Sequence, residues 1–299
     1  MSDFDPKIRN AAIWSGDSRR IAKGDTAGVV LEKLGRTEPE DISDEESVQM
    51  GHRLEPVVAR IFEETHNCRL KHLDGALTHR KHSWLRSHFD YEAEDRSYLV
   101  ETKNYHHHAA QYFSEIGDPV RVPDADRAQC LHEAIVHGVS TVYLAVLFGG
   151  QRYRDFRFDF TTEEKEAWTQ RLAEVWGNVQ SGTMPPPATA AQAREMWPQD
   201  NGHSIVANKQ IEFLCLQLAQ YKEQAKGLDQ FIDEATAAIQ GFMGDRAELV
   251  AVDGKTLATW KTAKSSRRFS ADLLKASMPD IYDRFVVENM GSRRFLVKN

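Results

Sequence analysis

Residues 141–148 (TVYLAVLF) are apolar at odd and even positions alike. Successive side chains of a strand point to opposite faces, so this run suits a strand buried on both sides rather than one that meets water. It points to an α/β core with a mixed central sheet flanked by helices. The flanking segments agree. Residues 124–137 (DADRAQCLHEAIVH) read as a helix that starts near Asp124 and stops at Gly138. Behind the run, Gly149-Gly150 turns the chain into RYRDFRFDF, where Phe156, Phe158 and Phe160 alternate with charged residues and predict a strand with one buried face. A helix from Thr162 to Val179 follows, with Trp168, Leu172, Val175 and Trp176 along one side.

Upstream, residues 47–65 place Leu54, Val58, Ile61 and Phe62 at helical spacing, with Glu55 beside that stripe. Pro56 fits badly in a helix interior, so the helix is expected to restart at Leu54 or to bend there. Residues 84–90 (WLRSHFD) and 97–105 (SYLVETKNY) are β-compatible runs joined by polar turn residues, and a hairpin between them is the simplest reading.

A chain of 299 residues exceeds one typical domain. The stretch 183–204 is rich in Pro and Ala and reads as a linker between a core at 1–182 and a carboxy-terminal region at 205–299. That region begins with a helix-favouring segment in which Ile211, Leu214, Leu218 and Tyr221 are spaced like one side of a helical hairpin or short coiled coil. A hairpin turning at Asp253-Gly254, a helix over 270–288 and a final strand, RRFLVK, complete the expectation of a small basic α/β end.

The net charge is −7, which at first sight disfavours a nucleic-acid ligand, but its distribution is uneven. Residues 247–299 hold ten Lys/Arg against six Asp/Glu, a net of +4, so the rest of the chain carries −11. Lys261, Lys264, Arg267, Arg268, Arg293 and Arg294 in this tail are candidates for contacts along a phosphate backbone. No apolar run is long enough to span a membrane, and the amino terminus lacks an apolar signal core, so a cytoplasmic protein is expected. Cys68, Cys130 and Cys215 are odd in number and widely spaced, which argues against a disulfide framework or a zinc ribbon.

The chemistry gathers around Asp90 and the Glu101-Thr102-Lys103 step eleven residues later. Strand alternation puts Glu101 and Lys103 on one face, and pairing of the two strands brings Asp90 beside Glu101. Two carboxylates that close repel unless a cation lies between them, and hard oxygen ligands favour Mg²⁺, with Mn²⁺ as a substitute. Hydrolysis of a phosphodiester needs a Lewis acid, an activated water and compensation for the charge that develops on phosphate. Asp90, Glu101 and Lys103 supply those elements, although charged residues alternate on many exposed strands as well. Glu55 on the preceding helix and Gln129 on the following one extend the constellation.

In this order, helix-Glu, strand-Asp, strand-Glu-x-Lys, helix-Gln, the sequence resembles the PD-(D/E)XK nucleases. More narrowly it resembles the YqaJ-like viral recombinases, the lambda-exonuclease family of phage alkaline exonucleases. The motifs that carry the likeness are WSGDS at 14–18, MGHRLEPVVARIFEE at 50–64, SHFDYEAED at 87–95, LVETKNY at 99–105 and AQCLHEAIVHGVSTVYLAVLFGG at 128–150. The resemblance implies a restriction-endonuclease-like core in which Asp90, Glu101 and the Thr102 carbonyl hold metal, with Glu55 as a further acidic ligand. It implies that Lys103 positions or deprotonates the attacking water and that Gln129 orients the site. Ser15, Ser18, Arg19, Arg20 and Ser87 become candidate DNA contacts. It further implies digestion of linear double-stranded DNA from a free 5′ end, in the 5′ to 3′ direction, leaving 3′ single strands for homologous recombination. A single-strand annealing protein as partner, a ring-shaped homotrimer and, for a phage gene, the host cytoplasm also follow from it.

Two departures stand out. Phe89 occupies the place of the proline that names the motif, and Gln129 is followed at 133 by Glu where RecB-type nucleases have Tyr. The alternatives are a structure-specific or Cas4/RecB-like nuclease of the same fold and a non-catalytic DNA-binding assembly protein. An iron–sulfur cluster of the Cas4 type is not expected, because it takes four cysteine ligands and the chain has three. His106, His107 and His108 suggest a metal, but three consecutive histidines on a strand or loop are not expected to face one ion, and partly exposed residues near the DNA path are the simpler reading. Trp84, Tyr91 and Tyr105 are read as core residues in preference to base-stacking platforms.

Overall fold

In a computed structural model, residues 5–38, 42, 44–114, 121–287 and 291–298 are described. The chain divides into two units, residues 1–197 and 198–299. In the first unit the elements run α1 (Pro6–Asn10), β1 (Ile13–Trp14), α2 (Ser15–Ala22), α3 (Thr26–Lys33), α4 (Glu46–His66), β2 (Leu70–His72), β3 (Ala76–Thr78), β4 (Leu85–His88), β5 (Tyr91–Ala93) and β6 (Tyr98–Tyr105). After a 3-10 turn they continue with α5 (Asp124–His137), β7 (Thr141–Phe148), β8 (Arg152–Asp159), α6 (Thr162–Ser181) and α7 (Ala190–Met196).

Strand β7 lies inside a five-stranded sheet of order β2-β5-β6-β7-β8. It pairs parallel to β6 and antiparallel to β8. Its alternation sorts two cores. Val142, Leu144, Val146 and Phe148 pack on the face covered by α5 and α6, together with Leu131, Ile135, Leu172 and Val175. Ala145 and Leu147 pack on the other face against Val58, Ala59 and Phe62 of α4. The expected mixed sheet with helices on both sides is therefore present. Parallel pairing of β6 and β7 obliges the chain to cross over between them, and α5 is that crossover. It ends at Gly138, whose φ of 96° is a left-handed conformation that suits glycine at a helix terminus.

Three expectations need correction in this unit. Helix α4 runs unbroken through Pro56. An interior proline costs a helix about 3 kcal/mol, and burial of Val58, Ala59 and Phe62 in the following two turns offsets that cost. The run 84–90 does not form a hairpin with 97–105. Strand β4 instead joins a small sheet of order β1-β4-β3, and the hairpin partner of β6 is β5, with Tyr91 opposite Val100 and Glu92 opposite Leu99. The turn between them lies at the polar residues read as such, with Arg96 at φ 61° and its N–H bonded to the Ala93 carbonyl. The run from Leu85 to Ala93 is thus long enough to serve two sheets, and Asp90 sits at the step between them. Finally, the 183–204 stretch is not all linker, since α7 packs Met196 against Ala27 and Leu31 of α3.

The position of α2 depends on a buried ionic network. Lys33 of α3 donates to Asp17 of α2 at 2.7 Å and to the carbonyl of Arg9 at 3.0 Å, with both charged side chains fully buried. Arg9 also reaches Glu32 at 2.9 Å, and Arg20 joins Glu32 and Asp25 at 2.5 and 2.8 Å. Burial pulls the Lys33 pKa below its usual value, against the opposing pull of Asp17. Removing one member leaves the others buried without compensation. Lys33→Met is therefore expected to lower the unfolding free energy by about 3–5 kcal/mol, measured by chemical denaturation. A loss under about 1 kcal/mol would show the network to be dispensable.

The second unit begins with α8 (Lys209–Met243), followed by the hairpin of β9 (Glu248–Val250) and β10 (Thr256–Thr259), then α9 (Ala271–Ser277) and α10 (Pro279–Arg284). Instead of a helical hairpin, α8 is one helix of 35 residues, since no proline or turn sequence interrupts it. The β9–β10 connection turns at Gly254, φ 84°. The helix expected over 270–288 is divided at Pro279, which cannot continue a helix from the preceding residue, and residue 288 lies outside the described residues. The RRFLVK segment forms no strand, and the two-stranded sheet of β9 and β10 takes no third member among the described residues. Among those residues no helix is long and apolar enough to cross a membrane.

Candidate active site

Register places the acidic residues. Because Tyr91 lies opposite Val100, the next pair outward sets Asp90 beside Glu101, even though the chain reaches Asp90 from another sheet. Asp90 Oδ2 accepts from the Thr102 backbone N–H at 2.8 Å and from the Thr102 hydroxyl at 2.7 Å. Glu101 and Lys103 share the face covered by α5, and Lys103 Nζ donates to Glu101 Oε1. From α5, Gln129 Nε2 donates to the same oxygen at 2.5 Å and to Glu133 at 2.9 Å. Glu55 projects from α4 at one side of this group, within 3.5 Å of His72.

Beside these groups lies a cleft of about 560 Å³ whose walls include Arg19, Glu55, Asp90, Thr102, Lys103 and Gln129. The electrostatics are those of too many acids in one place. Burial, followed by the charge on Asp90, pushes Glu101 up to about 7. Burial and then Asp90 also raise Glu55. Glu133 is held well above the carboxylate range by burial and by Glu101. Burial works against the charge on Lys103, yet Glu101 and Asp90 outweigh it and hold the ammonium above its usual pKa. A divalent cation fits this donor set: carboxylates that raise one another's pKa gain most from a shared positive charge, and oxygen donors suit a hard ion.

Of Ser15, Ser18, Arg19, Arg20 and Ser87, only Arg19 borders the cleft. Its guanidinium donates to Gln129 at 2.9 Å and to the Tyr105 hydroxyl at 3.1 Å, and lies 2.6 Å from Asp126. Ser18 is fully buried against His132, and buried Ser87 donates to the neighbouring His88 carbonyl. Arg20 is engaged by Asp25 and Glu32, and Ser15 lines a separate hollow with Trp14 and His88. The serines of WSGDS turn inward because α2 begins at Ser15, which puts Ser18 on the face that meets α5.

The histidine run also differs from expectation. The 3-10 turn curls His106, His107 and His108 together until one ligand nitrogen from each lies within 4.8 Å of the others. All three are exposed, and none borders the cleft.

Three residues of the site had no polar role assigned from the sequence. Tyr105 packs against the core beside Phe113 and Phe148, as read, and its hydroxyl also donates to Asp126 at 2.6 Å beneath Arg19. Glu133 was visible as the residue four after Gln129, a spacing that shares a helix face. His132 had no local signal. Its Nε2 donates to the Arg86 carbonyl at 3.0 Å, which leaves Nδ1 to accept from the Ser18 hydroxyl at 2.8 Å. Burial lowers its pKa to about 4.

The unfolded chain thus binds a proton at His132 near its ordinary 6.5 while the fold resists it down to about 4. The stabilisation is full above pH 6.5 and is lost as pH falls toward 4, amounting to roughly 3 kcal/mol. His132→Gln is expected to flatten the fall in unfolding free energy across that window. Parallel pH curves for the two proteins would rule out His132 as its source.

Comparison with known proteins adds an independent line. Residues 21–140 match the model of the YqaJ-like viral recombinase domain. The uncharacterized protein YqaJ of Bacillus subtilis is 23% identical over 284 residues, spanning 90% of this chain and 84% of that protein. Among solved structures, an alkaline exonuclease from Laribacter hongkongensis is 11% identical with a TM-score of 0.45, covering 59% of this chain and 91% of that one. A phage related exonuclease from Haemophilus somnus is 11% identical with a TM-score of 0.40, covering 56% and 81%. The resemblance carried by the motifs is borne out over the matched domain, and the site rests on its own geometry.

Proposed function

We propose that the chain is a metal-dependent deoxyribonuclease of the PD-(D/E)XK class that digests linear double-stranded DNA. The observation that carries this reading is the convergence of Glu55, Asp90, Lys103 and Gln129 on one open cleft, with buried Glu101 bonded to Lys103 and Gln129 behind them. The YqaJ-like domain match supports it from outside.

Asp90, Glu101 and the Thr102 carbonyl would hold Mg²⁺ or Mn²⁺, with Glu55 as a further ligand, direct or through water. When bound, such an ion supplies Lewis acidity at the scissile phosphate and lowers the pKa of water. The protein groups have distinct tasks around it. Gln129 fixes the rotamer of Glu101 through a side-chain hydrogen bond and is itself held by Arg19. Lys103 carries a charge that Glu101 and Asp90 stabilise, which favours compensation of developing phosphate charge over service as a general base. Glu133, whose pKa burial and Glu101 raise well above its ordinary value, accepts the other N–H of Gln129.

By resemblance the reading extends to 5′ to 3′ digestion of one strand, production of 3′ single strands for recombination, cooperation with a single-strand annealing protein in the cytoplasm and assembly as a ring trimer. The basic tail would follow the DNA backbone.

The test is a linear duplex labelled at each strand end in turn, incubated with Mg²⁺, Mn²⁺ or EDTA. Metal-dependent loss of the strand with the 5′ phosphorylated end is expected, slowed by ~10²-fold or more in Asp90→Ala and in Lys103→Ala. Cuts within circular DNA would move the assignment to an endonuclease. Retained DNA binding without any cleavage would favour an assembly protein.

A further inference from the structure

From Ile211 to Phe242, ten apolar residues of α8 recur in steps of three and four without a break. That is the seam of a coiled coil carried through more heptads than the three or four that suffice to specify one. Apart from half-buried Leu218 the seam is exposed: Tyr221, Leu228, Ile232 and Phe242 are 59%, 61%, 61% and 82% exposed. Met243 is the helix's only buried residue among those described. A helix of 35 residues is ~52 Å long, and an apolar stripe of that length facing water is a binding surface.

We propose that this seam pairs with the α8 of a second copy of the chain, running antiparallel. The sequence of steps is the same read from either end, so a reversed copy meets it in register at every layer. In that arrangement Leu218 packs on the partner's Ala235, and Ala225 packs on the partner's Leu228. Each alanine of the seam faces a leucine. At the ends Ile211 meets the partner's Phe242.

A parallel pair would instead set Ala225 on Ala225 and Ala235 on Ala235, leaving two thin layers, and Tyr221 on Tyr221. Charge points the same way. One flank of the seam holds Lys222 and Asp229, and the other holds Gln210, Gln217 and Gln224 with no charge. Antiparallel pairing puts Lys222 beside the partner's Asp229 twice over, whereas parallel pairing puts each beside a glutamine. Such flanking positions set orientation and partner choice. The inference concerns the second unit alone and stands apart from the nuclease reading.

The experiment is sedimentation equilibrium of the full-length chain and of Leu228→Asp, with circular dichroism to confirm that the exposed substitution leaves the fold intact. The wild type is expected to have twice the mass of the variant, whatever assembly the first unit makes in multiples of the 34.0 kDa chain. Lys222→Asp and Asp229→Lys are each expected to weaken the association, and the double exchange to restore it. For orientation, Leu218→Cys and Ala235→Cys proteins in a Cys215→Ser background are oxidised separately and mixed. A disulfide dimer that forms only in the mixture supports the antiparallel pair. Ready homodimers of Leu218→Cys overturn that orientation, and a mass unaffected by Leu228→Asp overturns the proposal.

Discussion

Gln129 holds two buried carboxyl groups at once, donating to Glu101 at 2.5 Å and to Glu133 at 2.9 Å. A glutamine amide has two N–H bonds to give, and its oxygen here accepts from Arg19 at 2.9 Å. The side chain is therefore satisfied at both ends, and its position on α5 is coupled to the sheet on one side and to α2 on the other. Acids this close would separate or collect protons if nothing held them. Lys103 supplies charge against Glu101, Thr102 caps Asp90, and Gln129 donates to Glu133, whose pKa burial raises. The site is a balance between repulsion and a small number of directional hydrogen bonds, and the surrounding layers exist in positions that keep those bonds short.

Support for that balance reaches well beyond the cleft. The ionic network of Lys33, Asp17, Glu32, Arg9 and Arg20 sets α2 against α3, while Ser18 and His132 join α2 to α5. Arg19 projects from the same helix turn and completes the wall above Tyr105 and Asp126. Neutral His132 matters here because its two nitrogens tie α2, α5 and β4 together through Ser18 and Arg86. Much of the amino-terminal segment is thus scaffold for the half-buried guanidinium of Arg19.

The sheet and its cover were legible because their signals are local. The doubly apolar run at 141–148, the cap residues of α5 and the alternation of Glu101 with Lys103 each follow from neighbouring residues, and each maps onto the observed element. Pairing was less legible. That β4 and β5 diverge at Phe89-Asp90 depends on which strands wait on either side, which no short window contains. The inward turn of Ser18 and the polar use of Tyr105 fail for the same reason, since both depend on partners more than twenty residues away. The single length of α8 was read as a pair because an apolar seam implies a mate but does not say which chain supplies it.

Parallel pairing of β6 with β7 has a further bearing on when the cluster comes into being. Glu101 and Gln129 are 28 residues apart, and the crossover helix is anchored only when β7 closes beside β6. Contacts of such separation form late, after the entropy of closing the loop has been spent. A nascent chain emerging from the ribosome carries Asp90, Glu101 and Lys103 long before Gln129 can join them, so the acidic hairpin is synthesised as an inert piece and becomes a centre in one step when the second half of the sheet arrives.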